Sequence, residues 1–113
     1  MNDDTRFPHQ KTDIYQATMQ LVGRVKGANI ADAVLKDQAE RAAISTLLAI
    51  GEGLPHDGAR MRRQYFARAK ASVCELVTAT DAARVCSAMA QTDWDACQAL
   101  AWRVRGMLIA LLR

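Results

Sequence analysis

From residue 12 onward, apolar side chains return every three or four positions, the period of an α-helix, and three interruptions divide the pattern into four segments. The first opens near Thr12, carries Ile14, Thr18, Leu21, Val22 and Val25 along one stripe, and stops at Gly27 and Asn29. The second, residues 31–52, places Leu35, Ala39, Ala42, Thr46, Leu47 and Ile50 on one side, while Ile44 and Leu48 point elsewhere. Gly51, Gly53, Pro55 and Gly58 form the strongest break in the chain, because proline cannot continue a helical hydrogen-bond ladder and glycine is favoured where helices end. The third segment starts at residue 57 or 58 and runs to 89 without an internal proline or glycine, its stripe made by Tyr65, Ala69, Ser72, Val73, Leu76, Thr80 and Ala83. Gln91 and Thr92 then mark a turn, and Thr92 followed by Asp95 has the form of a capping box that opens a fourth helix. The inner face of that helix is Trp94, Cys97, Ala101, Val104, Leu108 and Leu111.

Four helices joined by short connections predict an all-α fold, an antiparallel up-down-up-down four-helix bundle over residues 12–113. Residues 1–11 read as a loosely ordered, flexible arm in which Phe7 docks onto the body. One bundle interior does not use all of the apolar surface. Ile44 and Leu48 on the second helix, and Trp102, Ile109 and Leu112 on the fourth, lie off the inner stripes, and a helix apolar on two sides has two sets of neighbours. These five residues form a candidate oligomer interface. Composition points the same way: 50% of the 113 residues are apolar but only 5% aromatic, with 21 alanines, which suits closely packed helices and excludes a sandwich or barrel. No apolar run approaches the roughly 20 residues of a membrane span. The polar residues 1–5 lack the basic start and apolar core of a secretory signal, so a cytoplasmic location is expected.

Chemistry is sparse. A di-iron bundle needs Glu-x-x-His pairs, because each metal is held by a carboxylate and an imidazole one helical turn apart, yet Glu40, Glu52 and Glu75 are followed three residues later by Ala43, Pro55 and Thr78. The histidines, His9 and His56, fall in the arm and in the central break, where they read as turn residues. Ser45 and Ser72 have no base beside them in sequence, and the Gly51–Gly53 run follows a helix, whereas phosphate-cradling loops precede one. Cys74, Cys86 and Cys97 are odd in number and without CxxC spacing, and read as small hydrophobes in a reducing compartment. No catalytic residue, metal or cofactor is expected.

Charge supplies the best lead. The net charge of +3 is uneven: residues 57–113 hold nine Lys/Arg against five acids, the earlier half six against seven. Arg60, Arg62, Arg63, Arg68 and Lys70 fall within eleven residues that contain no acid, with Tyr65 and Phe66 among them. Arginines interleaved with aromatics are suited to gripping phosphates and stacking bases. The plainer alternative is that both rings face the core while the cations solvate the helix. Cations at a helix N-terminus oppose its dipole, at a cost of a few tenths of a kcal/mol, which favours a purpose for them.

The stretch DQAERAAISTLLAIGEG, with Gln38, Arg41, Ala42, Ser45, Ile50, Glu52 and Gly53, resembles a bacterial family of four-helix-bundle proteins encoded in intervening sequences of 23S ribosomal RNA, whose signature is Q-x-x-R-A-x-x-S-x-x-x-x-I-x-E-G. The segment FARAKASVCEL, with Ala69, Ser72 and Glu75, the ending GMLIALLR, and the opening FPH followed by Asp13 and Tyr15 extend the resemblance over nearly the whole chain. More distantly the chain is similar to the accessory variability determinant of diversity-generating retroelements, which binds nucleic acid and a reverse transcriptase through a basic surface. The resemblance implies a left-turning bundle that assembles as a homo-oligomer, a pentameric ring. Read physically, Arg41, Ser45, Glu52, Ser72 and Glu75 are expected to form a polar network between the second and third helices that fixes their register. The function expected is that of a non-enzymatic scaffold or adaptor whose partners are its own copies and RNA, DNA or a nucleic-acid-handling protein. The alternative is a pure protein–protein assembly module.

Overall fold

The structure, a computed structural model, describes residues 5–113. A short 3-10 helix, Pro8–Lys11, leads into four α-helices: α1 (Asp13–Gly27), α2 (Ala33–Gly53), α3 (Ala59–Val85) and α4 (Gln91–Leu112). Each helix packs on its neighbours in sequence and α1 also packs on α4. The ring closes as an up-down-up-down bundle, with α1 across from α3 and α2 across from α4. At 1.5 Å per residue, the 27 residues of α3 account for about 40 Å of the 44 Å length.

Local chemistry explains the helix ends. Thr12 caps α1, its Oγ1 accepting from the Tyr15 N–H at 3.3 Å, and Asp32 caps α2 by accepting from the Leu35 N–H at 3.0 Å. The expected capping box of α4 is not formed. Ala90 is the N-cap, Thr92 lies inside the first turn, and Gln91 links Asp95 (2.9 Å) to Arg84 (2.7 Å) instead. Helix α3 stops at Val85, four residues short of expectation, because Ser87 adopts a left-handed conformation (φ 56°). The Ala88 N–H then bonds the Ala83 carbonyl at 2.8 Å and the Ser87 N–H the Arg84 carbonyl at 3.0 Å, a Schellman ending in which serine stands where glycine is usual. Met89, released from the helix, forms an isolated antiparallel bridge with Ile30 between α1 and α2.

The core runs the length of the bundle, from Phe66, Ile50 and Leu108 toward Leu76, Leu21, Val25 and Met89. Phe66, not Tyr65, is the buried aromatic of α3, since a one-residue change of phase turns a helix position by about 100°. The most extensive contact joins α2 and α3, helices whose buried residues include many small ones: Ala39, Ala42, Ala43 and Ala49 on α2, and Ala69, Ser72, Ala79 and Ala83 on α3. Buried Thr18, Thr46 and Thr80 return their hydroxyls to carbonyls of their own helices, at 2.7, 2.8 and 3.0 Å. Gly53 ends α2 under the Phe66 ring: a methyl group there lands 2.8 Å from Phe66 Cε1 and 3.0 Å from Tyr65 Cβ.

The arm is more ordered than its composition suggests. Pro8 opens the 3-10 turn, the Phe7 N–H donates to Gln10 Oε1 (2.8 Å), Thr12 Oγ1 donates to the His9 carbonyl (2.8 Å), and Gln16 Nε2 to the Gln10 carbonyl (2.7 Å). Phe7 itself is 67% exposed rather than buried on the body. The remainder of the expected arm, residues 1–4, lies outside the described residues. No helix among the described residues is long and apolar enough to cross a membrane.

Candidate functional site

The up-down topology gathers the arm, the α2–α3 connection, the first turn of α3 and the last turn of α4 at one end of the bundle. The α2–α3 connection is held locally: the Gly58 N–H donates to His56 Nδ1 at 3.1 Å, and the His56 ring lies 5.8 Å from that of Tyr65. Helix α3 starts from Gly58 without a side-chain cap and without an acid in its first turn. Its free N–H groups and positive dipole therefore add to Arg60, Arg62 and Arg63.

These cations differ in their surroundings. Arg60 is exposed. Arg62 is half-buried, with its guanidinium 5.4 Å from the centre of the Phe66 ring. Arg63 donates to the Leu112 carbonyl at the end of α4, where a cation also meets the negative end of that helix dipole. Arg68 lies over the Tyr65 ring at 5.2 Å, and Lys70 is half-buried farther along α3. The five do not form a single stripe, since spacings of two, one and five residues scatter positions around a helix. What they share is the absence of an anion: among the described residues none has an ion-pair partner. Ion pairs occur elsewhere: Lys26–Glu40, Lys36–Glu40 and Arg41–Asp37 involve the first half of α2, and Arg24–Asp93 joins the last turn of α1 to the first turn of α4 at the other end.

Sequence spacing missed the contributors from other elements. Lys11, in the arm, and Arg113, which follows the Leu112 carbonyl bonded by Arg63, join Arg60, Arg62 and Arg63 at this end. Asp13, Glu52 and Asp57 are the acids nearby in the chain. A groove of about 440 Å³ is lined by Phe7, Pro8, His9, Thr12, Leu54, Pro55 and Arg62. A second, of about 400 Å³, runs from Arg62 past Asp13 to Met107 and Leu111, so Arg62 borders both.

The expected polar network is not assembled. Arg41, Ser45 and Glu52 lie on the outward stripe of α2 and Glu75 on that of α3, all exposed, while Ser72 alone is buried. Arg41 pairs with Asp37 on its own helix at 3.6 Å, and no hydrogen bond links any two of the five. The reason is phase: the buried set of α2 is Ala39, Ala42, Ala43, Thr46, Ala49, Ile50 and Gly53, out of step with the other three.

The surplus apolar surface is where it was expected in part. Ile44, Leu48 and Trp102 are 42%, 60% and 68% exposed, whereas Ile109 and Leu112 are half-buried and Leu112 packs against the chain's own core. Trp94 and Trp102 do not share a face, because eight residues overshoot two turns by about 80°. Trp94 is half-buried and its Nε1 donates to Asp81 at 3.1 Å, while Trp102 borders a groove of about 430 Å³ between α3 and α4. In that groove the Gln98 side-chain oxygen is buried without a hydrogen-bond partner. Burial also pushes the Cys97 thiol above its ordinary pKa, with nearby Arg24 opposing and Asp93 adding to the shift, whereas Cys74 and Cys86 are exposed.

No curated protein matches this chain. The model of one protein family does match it, the 23S rRNA-intervening sequence protein, over residues 10–110. That span contains all of α1, α2 and α3 and nearly all of α4, so the match rests on the whole bundle and not on one helix. The chain therefore belongs to the 23S rRNA-intervening sequence protein family.

Proposed function

We propose that this protein is a non-enzymatic, homo-oligomeric scaffold or adaptor whose basic end contacts RNA, DNA or a nucleic-acid-handling protein such as a reverse transcriptase. The observation that carries the nucleic-acid half is that Arg60, Arg62, Arg63, Arg68 and Lys70 have no ion-pair partner among the described residues, with Lys11 and Arg113 at the same end as the first three. Phosphates are the partners such groups lack. The assembly half is favoured by Trp102, exposed beside the orphaned Gln98 oxygen. A buried unsatisfied acceptor costs about 1–3 kcal/mol, which a donor from a neighbouring copy would remove. Assembly, a ring of five by the family resemblance, repeats the basic end once per copy and raises avidity for a polyanion without new contacts.

Replacing Arg60, Arg62 and Arg63 together by Ala should abolish most nucleic-acid binding and lower the slope of log affinity against log salt by about two. Melting temperature, measured alongside, controls for loss of the Arg63–Leu112 bond. If the unaltered protein shows no salt-sensitive binding to any nucleic acid at low ionic strength, the nucleic-acid half fails and a pure assembly module remains. Monomeric light scattering at micromolar concentration would remove the assembly half.

A further inference from the structure

We infer that the groove between the arm and the α2–α3 connection is a binding site for one unpaired nucleobase, so that the basic end prefers single-stranded nucleic acid to duplex. The inference rests on the nucleic-acid reading above and adds the form of the ligand. It starts from Phe7, whose ring is two-thirds exposed on a segment fixed by hydrogen bonds. A large apolar ring held outward on ordered backbone is a prearranged stacking surface, and base stacking on aromatic rings is a general means of holding single strands.

The rest of the groove fits the same ligand. Leu54 and Pro55 line it with apolar surface, and Arg62, half-buried and without an anion, lines it with charge, while Arg60 and Arg63 stand on the same turn of α3. A base against Phe7 thus places its phosphate toward arginines that have no anionic partner among the described residues. The volume, about 440 Å³, lies at the low end of the range for small-ligand pockets, which is about 300–1,000 Å³. It suits a single nucleotide and not a helix of paired bases, whose faces are covered by their neighbours.

The polar lining also sets the expected selectivity. Thr12 Oγ1 already donates to the His9 carbonyl and accepts from the Tyr15 N–H. The His9 ring meets Phe7 edge-on at 6.0 Å and Tyr15 at 5.3 Å. That leaves the His9 ring nitrogens and the Arg62 guanidinium as the side-chain groups able to meet the edge of a base, so stacking with weak sequence preference is expected.

The test compares a short single strand carrying 2-aminopurine with a duplex of the same sequence, for the unaltered protein, Phe7→Ala and Phe7→Trp. The expected result is that single strand binds better than duplex and quenches the 2-aminopurine. Phe7→Ala should weaken single-strand binding about tenfold, abolish the quenching, and leave the salt slope and duplex affinity unchanged; Phe7→Trp should retain both binding and quenching. Equal binding of the two forms with no change in Phe7→Ala overturns the inference and leaves the polyanion reading standing. No salt-sensitive binding of either form overturns both. Because the Phe7 ring is exposed, its removal should leave the circular dichroism and melting temperature unchanged.

Discussion

The two ends of the bundle are finished in opposite ways. Where the α1–α2 and α3–α4 connections meet, backbone and side chains are stitched together. The Ala31 N–H bonds the Ala88 carbonyl at 2.8 Å, the Asn29 N–H bonds Asp93 at 3.3 Å, Arg84 bonds the Met89 carbonyl at 2.6 Å, and Lys36 and Lys26 converge on Glu40. At the other end, Arg62 stands between two grooves, and Lys11, Arg60, Arg63 and Arg113 have no ion-pair partner among the described residues. An exposed ion pair is worth only about 0–1 kcal/mol, so leaving cations unpaired gives up little stability. On the proposed reading, what those cations offer is a place for a phosphate to bind, which the stitched end, with its cations already paired, does not.

If the proposed function holds, the Arg60, Arg62 and Arg63 substitutions should make the largest change, a loss of binding, with a smaller effect on stability from the lost Arg63–Leu112 bond. Next in size is Gly53→Ala, which tests whether the basic end is closely packed beneath its open surface. Because a methyl group meets the Phe66 ring, unfolding free energy should fall by about 1–3 kcal/mol, measured by denaturant titration. Gly51→Ala, two residues earlier, is the matched control. Its new methyl meets only Tyr15 Cε2, at 3.5 Å, so the better helix propensity should give up to about 1 kcal/mol of stabilisation. Equal effects from the two would mean that Phe66 does not seat on Gly53.

Ser87→Gly addresses the stitched end. Relief of the left-handed strain at φ 56° should raise stability by about 0.5–1 kcal/mol, visible as a higher melting temperature. A loss would show that the Ser87 side chain contributes more than its backbone costs. The smallest effect belongs to Glu40, whose carboxyl is held below the usual glutamate range first by its hydrogen bond to Lys36 and then by that to Lys26. A lowered native pKa means that the unfolded chain binds more protons, so the contribution is present above the ordinary carboxylate range. It disappears as the pH falls through that range to the lowered native value. The small difference in melting temperature between Glu40→Gln and the unaltered protein should therefore shrink in acid and in high salt.

Helix number and the start of α1 were legible because they depend on local signals: a period near 3.6, Thr12 as a cap, and the glycine–proline break. The end of α3 was not, because Ser87 occupies a backbone conformation that its residue type does not advertise. The choice between Tyr65 and Phe66 was not either, since both are aromatic, both fall one turn before Ala69, and the stripe alone does not say which one the core takes. The signature residues Arg41, Ser45 and Glu52 look like a buried layer as a motif, yet helical phase turns them outward. For the site, the α3 cations were visible as a charge run, while their proximity to Phe7 and Leu112 depends on elements far apart in the chain.

The alanine seam between α2 and α3 has a mechanical consequence. An alanine side chain has no torsion to freeze, so burying it loses no rotamer entropy, and equally it has no torsion through which to yield. A bulkier residue at the fully buried Ala39 or Ala69 cannot be absorbed by torsional adjustment of alanine neighbours and should push on the helix axes. Since α2 and α3 each span the bundle between its two ends, in opposite directions, the pair should behave as a stiff double rod. A disturbance at mid-length is then expected to shift the helices along their length rather than to be taken up where it arises.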